Sequence, residues 1–241
     1  VAPSGVFVLG TGRGVGKTLV AAGLARVVRR RGERVGVFKP FLTGDPHAHD
    51  AGVLARAAGM AGPGPLPRLL VDVIAPWRRD DPWPPGIVAR RRGERVDLSR
   101  AVADARALGN VNDALVVEGW GGLLAPLTET LRADGTVLAL ARQLGLPAVL
   151  VARAEPDAAG TVALAAQACR RGRVALVGVV LSQVEPGHEH EDPDLRDAVA
   201  GVEGRPLVCG FPYTGGSEAI RVGTAARLLD AAGFWERLRA A

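Results

Sequence analysis

Lysine is almost absent from this chain: of its 30 lysines and arginines, only Lys17 and Lys39 are lysine. Aromatic side chains are scarce too, with four Trp, one Tyr and five Phe in 241 residues, too few and too scattered for base-stacking platforms. The two cysteines, Cys169 and Cys209, have neither metal-site spacing nor a disulfide framework, and are expected to be buried small hydrophobes in a reducing compartment. No apolar run reaches transmembrane length, and Val1-Ala2-Pro3-Ser4 has no signal-peptide character, so a cytoplasmic location with no membrane partner is expected. Zinc spacing is missing as well. His47, His49 and Asp50, like His188, Glu189, His190 and Glu191, lack the i,i+4 helical arrangement and read as polar loop. No Ser/His/Asp or Cys/His set suggests covalent nucleophilic catalysis.

The formal charge of +5 comes from arginines spread in short clusters, Arg29 to Arg31 and Arg90 to Arg92. These read as solvated helix ends and loops rather than a nucleic-acid surface. What remains is an ordinary globular composition, 48% hydrophobic and 23% charged, long enough for one large core. Residues 1–241 are expected to form a single α/β domain.

One stretch carries specific chemistry. Val6-Phe7-Val8-Leu9, a short apolar run, leads into Gly10-Thr11-Gly12-Arg13-Gly14-Val15-Gly16-Lys17-Thr18, and then into Leu19 to Ala25 with helical spacing. Strand, glycine-rich turn and helix form the context of a phosphate-binding loop. Glycines let successive backbone N–H groups converge on phosphate oxygens, and the helix N-terminus adds partial positive charge. Lys17 would reach the β- and γ-phosphates of a nucleoside triphosphate, and the Thr18 hydroxyl would ligate Mg²⁺. The strict pattern places its first glycine at position 11, where this chain has Thr11. In a chain that otherwise uses arginine, a retained lysine marks a place where a compact charge on a flexible stem is needed. Lys39 is therefore a candidate for the same ligand.

The remaining pattern alternates strands and helices. Strands are expected at about 6–10, 34–38, 69–74, 114–117, 147–152, 174–181 and 207–211. Helices are expected at about 16–31, 50–59, 87–92, 97–108, 134–144, 158–170, up to 200, and 218–229. Residues 41–50 read as polar loop, 62–67 as Gly/Pro loop, and 76–86 as irregular. Such alternation implies a mostly parallel sheet flanked by helices, with ligands beyond the carboxyl ends of the strands. Gly10, Lys39 and Glu118 all stand at such ends and should meet on one edge. Glu118 follows the buried run Ala114 to Val117 and precedes Gly119-Trp120-Gly121-Gly122, which makes it a candidate carboxylate for Mg²⁺. Asp50 can be read as a second metal ligand, as a helix N-cap, or as both.

Taken together, the loop at 10–18, Lys39-Pro40 through Thr43-Gly44, Asp50, and Glu118-Gly-Trp-Gly-Gly-Leu through Pro126-Leu127 resemble dethiobiotin synthetase. The likeness runs along nearly the whole chain. It takes in Pro84-Pro85, Ile87-Val88-Ala89, Gly93, Val96-Asp97 and Leu146 to Val151. It implies a P-loop nucleoside triphosphate hydrolase fold and closure of a ureido ring from 7,8-diaminononanoate, CO₂ and ATP with Mg²⁺, in a homodimer whose partner subunit receives the substrate's tail. By this resemblance Lys17 and Lys39 neutralise phosphates and carbamate, Thr43 hydrogen-bonds the substrate beside Gly119, Trp120 and Gly121, and Thr18, Asp50 and Glu118 hold Mg²⁺. Thr11, Gly12, Arg13, Gly14, Val15, Gly16, Lys17, Thr18 and Glu118 would line the nucleotide, with Ser182 and Pro212 on its base side.

The chain departs from the family pattern at Trp120, where a small residue is usual, and at Gly86, where histidine follows proline. It departs again at Pro156 to Thr161, which lacks an Asn-His pair, at Ser182-Gln183 in place of Asn-Asp, and at Arg13-Gly14. Two other readings are a related amide- or ureido-forming ligase on another substrate, and a nucleotide-switched binding ATPase. The second group carries a lysine where this chain has Gly12.

Overall fold

The computed structural model describes residues 4–45, 47–183, 185, 192–202 and 206–241. Its centre is β1 (Ser4–Gly10). The run Val6 to Leu9 is apolar throughout because both faces are covered: Val6 and Val8 join one hydrophobic cluster and Phe7 and Leu9 the other. On either side lie β2 (Val35–Phe38), β5 (Ala114–Glu118), β6 (Ala148–Arg153), β7 (Leu176–Ser182) and β8 (Leu207–Phe211). The six strands run in the order β2-β5-β1-β6-β7-β8, every pair parallel.

Parallel neighbours need crossovers, and these supply the two helical layers. One face carries α1 (Lys17–Arg30), α2 (His49–Ala57), α3 (Arg68–Ile74), α9 (Glu218–Ala231) and α10 (Phe234–Arg239). The other carries α4 (Pro85–Arg92), α5 (Leu98–Asn110), α6 (Val137–Leu144), α7 (Ala158–Arg171) and α8 (Pro193–Ala200). The connection from β1 to β2 passes β5, whereas that from β5 to β6 passes β1. Strand order therefore reverses beside β1, and a crevice opens at the carboxyl ends. Cys169 and Cys209 are buried thiols, and burial pushes the Cys169 thiol up to about 12.

The expected strand at 69–74 is a helix, α3. Its Leu-Leu-Val-Asp-Val-Ile composition favours a strand only where both faces are covered. Here Leu69 and Val73 stay exposed, and Asp72 pairs with Arg68 one turn earlier and with Arg78. The loop expected at 41–50 begins instead as β3 (Phe41–Thr43), paired in parallel with β4 (Trp77–Arg79) inside the segment expected to be irregular. Phe41 opposes Trp77 in register, with ring centroids 5.9 Å apart. Pro40 does end the first ladder, since its carbonyl accepts from Trp77 N–H of the second pair. The helix expected at 134–144 is interrupted: residues Ala133–Gly135 form a 3₁₀ turn, and Thr136 caps α6 by accepting from Ala139 N–H. The C-terminal α10 was not among the expected helices. The His188 to Glu191 loop lies outside the described residues.

Candidate functional site

Gly10 ends β1, and the chain curls over the sheet edge before α1 begins at Lys17. Thr11 N–H donates to Val151 O at 3.0 Å, tying the loop's start to β6. Val15 is buried and anchors its middle. Gly16 closes it in the left-handed region, φ 93°, where a Cβ would also lie 2.8 Å from Ser182 Oγ. Only glycine meets both demands. The α1 N-terminus has no side-chain cap, so its first N–H groups are left for a ligand.

Three strand ends deliver the rest. Lys39 follows β2, Glu118 closes β5, and β3 brings Thr43; the first two of these are 5% and 1% exposed. The Lys39 ammonium donates to Glu118 Oε1 at 2.6 Å and Asp50 Oδ2 at 2.5 Å, with Thr18 Oγ1 at 3.5 Å. The Thr18 hydroxyl donates to Glu118 Oε1 at 2.9 Å. Glu118 is thus not a solvent-exposed strand end. Its Oε2 is buried with no hydrogen-bond partner among the described residues. Thr18, Asp50 and Glu118 offer only hard oxygen donors, one of them unsatisfied, which fits Mg²⁺.

Asp50 is not the N-cap of α2. Ala48 holds that position, and the Asp45 carboxylate accepts the Asp50 N–H at 3.0 Å. This leaves the Asp50 side chain to Lys39. Burial pushes Glu118 upward against the pull of Lys39. Burial likewise opposes the charge on Asp50, but the Lys39 ammonium outweighs it and holds that carboxyl below its usual range. For Lys39, burial is outweighed by the two carboxylates, and its pKa is raised. Lys17 has no such pair of contacts. Its Nζ donates to Gly12 O at 2.5 Å, and burial, partly offset by Glu118, lowers its pKa to about 8.

These groups line one cleft of about 300 Å³ with Arg13, Gly14, Gly16, Leu42, Thr43 and the Gly119 to Gly121 turn. Trp120 forms a wall, 7% exposed, its ring joined to the core and its indole N–H donating to Thr43 Oγ1 at 2.6 Å. Arg13 lies over that ring, 5.4 Å from its centroid, and donates to the Pro82 carbonyl. Thr11, Gly12 and Val15 border a second depression with Arg153, Glu155 and Asp157. Ser182 and Pro212 stand further along the same edge, Ser182 behind Gly16 and Pro212 beside Gln183 and Phe211.

Leu42, Asp45, Pro82 and Arg153 were not anticipated. Two Asp-Pro dipeptides, Asp45-Pro46 and Asp81-Pro82, common turn initiators, gave a local signal for Asp45 and Pro82. Gly86 has a packing reason: a Cβ there would sit 2.3 Å from Thr128 O.

An AAA domain family matches residues 4–221. The chain is 38% identical over 195 residues to a protein named ATP-dependent dethiobiotin synthetase BioD from Anaeromyxobacter dehalogenans (strain 2CP-C), covering 79% of this chain and 80% of that one. It is 33% identical over 201 residues to the protein of the same name from Bacillus licheniformis, covering 82% of each. Among solved structures, a nucleotide-binding protein in complex with ADP from Archaeoglobus fulgidus superposes with a TM-score of 0.51 at 16% identity, over 97% of this chain and 90% of that one. That likeness establishes the P-loop fold.

Proposed function

The chain belongs to the ATP-dependent dethiobiotin synthetase family, and we propose that it closes the ureido ring of dethiobiotin in the cleft between the phosphate loop and Trp120. The observation that carries this reading is the convergence of Lys17, Lys39, Thr18, Asp50, Glu118 and Thr43 on that one cleft. One amine of 7,8-diaminononanoate takes up CO₂ as a carbamate, releasing a proton. A carbamate oxygen attacks the γ-phosphorus of ATP, ADP leaves, and a mixed carbamic-phosphoric anhydride forms. The second amine attacks its carbonyl carbon, loses a proton and expels phosphate.

The protein's part is position and charge. Backbone N–H groups from Gly12 to Thr18 cradle the phosphates, while that of Thr11 ties the loop's start to β6, and Lys17 neutralises oxygens of the β- and γ-phosphates, between which the bond breaks. Lys39 faces the carbamate and the transferring phosphoryl group, and Thr43 hydrogen-bonds the substrate beside Gly119 and Gly121. Mg²⁺ held by Thr18, Asp50 and Glu118 would offset charge on the phosphates. Ser182 and Pro212 lie on the base side of the nucleotide. The whole chain acts as one domain in a cytoplasmic homodimer, with no nucleic-acid or membrane partner. No helix among the described residues is long and apolar enough to cross a membrane.

The test is direct. Purified protein given diaminononanoate, bicarbonate and MgATP should release one phosphate per dethiobiotin, followed by mass spectrometry. Phosphate release without dethiobiotin would overturn the reading.

A further inference from the structure

Of the two carboxylates that line the cleft, Glu118 is fixed by its strand, whereas Asp50 comes from the first turn of α2. A helix start carries N–H groups with no partner inside the helix. An aspartate placed there turns readily onto its own or a neighbouring N–H. An Asp50 carboxylate spent in that way would be lost to Lys39 and to a metal. Another side chain does that work. Asp45 Oδ2 accepts the Asp50 N–H at 3.0 Å, and the Asp45 carbonyl accepts the Ala48 N–H at 3.0 Å. These two bonds close the turn, and between them Ala48 is held buried at φ 50°, in the left-handed region that strains a residue with a Cβ. Asp45 is itself anchored. It follows Gly44, whose N–H donates to Arg79 O at 3.0 Å where the β3–β4 pair ends. The acceptor at the start of α2 is therefore hung from a pair of strands and not from the helix.

We propose that Asp45 is a positioning residue: by taking up an N–H at the start of α2, it keeps the Asp50 carboxylate turned into the cleft toward Lys39 and the divalent cation. The inference rests on the reading of Asp50 as a ligand of Mg²⁺. Asp45 is not among the residues that line the cleft, and it acts through Asp50.

The experiment measures, by calorimetry, the affinity for a non-hydrolysable ATP analogue with Mg²⁺ and with EDTA. In Asp45→Ala the dissociation constant should rise about tenfold with Mg²⁺, the lower end of what the outer partners of metal ligands contribute. With EDTA it should stay at the wild-type value. Asp45→Asn keeps an acceptor oxygen and should restore the affinity. In an Asp50→Ala background, Asp45→Ala should cost nothing further. Arg56→Met cuts the ion pair of α2 with Glu218, outside the cleft. It should lower the melting temperature and leave the affinity with Mg²⁺ unchanged. Equal losses with Mg²⁺ and EDTA, a further loss in the double variant, or the same loss in Arg56→Met would mean general loosening and overturn the proposal. Wild-type affinity in Asp45→Ala, where Asp50→Ala is weakened, would overturn it too. If Asp50→Ala itself keeps wild-type affinity with Mg²⁺, the metal reading fails and the proposal falls with it.

Discussion

Lys39 occupies the space between the oxygens of Thr18, Asp50 and Glu118, the same donors that suit a divalent cation. Two positive charges do not share such a cage, because burial amplifies their repulsion. Lys39→Met should therefore raise the affinity of the nucleotide-free protein for Mn²⁺, read by electron paramagnetic resonance, while abolishing ring closure. Unchanged or weaker Mn²⁺ binding would show that the ammonium does not compete. Lys17 gives a pH dependence with a definite sign. Its pKa is lowered by burial from 10.5 to about 8, so the unfolded chain holds this proton over a range where the folded protein has released it. Stability on this account rises with pH between those two values and is lowest below about 8. ATP favours the charged form, so binding should take up a proton at about pH 9 and none at about pH 7. Calorimetry in buffers of different ionisation heat measures this; equal uptake at both would contradict it.

Among the elements, two glycines separate function from packing. Gly16→Ala forces a side chain into φ 93° and against Ser182 Oγ, so nucleotide affinity should fall sharply while the protein remains folded by circular dichroism. Ser182→Ala should not restore binding, because the backbone strain remains. Gly86→Ala places a Cβ against Thr128 O and should cost about 1–3 kcal/mol in urea denaturation. The histidine usual in the family could not fit there without displacing residues 126–128. Most elements were legible because both faces of the sheet are covered: apolar runs such as Val6 to Leu9 and Ala148 to Ala152 have no other home. The failures have separate causes. In the β3–β4 pair a partner distant in sequence decides, Phe41 finding Trp77, and in α3 the strand-like composition gives way because Leu69 and Val73 are left uncovered while Asp72 pairs with nearby Arg68 and Arg78.

For the molecule as a whole, binding of MgATP should raise the melting temperature, with about 2.7 kcal/mol gained at one hundred times Kd. Light scattering should give a dimer mass, and a monomer at assay concentration would remove the partner subunit from the account. The sequence by itself determined the alternation of strands and helices, the phosphate loop, and the retention of two lysines and a strand-end glutamate as its company. That information is local: glycine at a left-handed turn and lysine at a phosphate are dictated by the residue's own chemistry. Parallel topology then makes it almost inevitable that strand ends meet on one edge. Only the tertiary structure decided what stands opposite the loop. The pairing of Lys39 with Asp50 and Glu118, the release of Asp50 from capping by Asp45, and the Arg13–Trp120–Thr43 wall join residues up to 107 positions apart. No short-range pattern specifies such contacts, since they arise when separate crossovers are packed against one sheet.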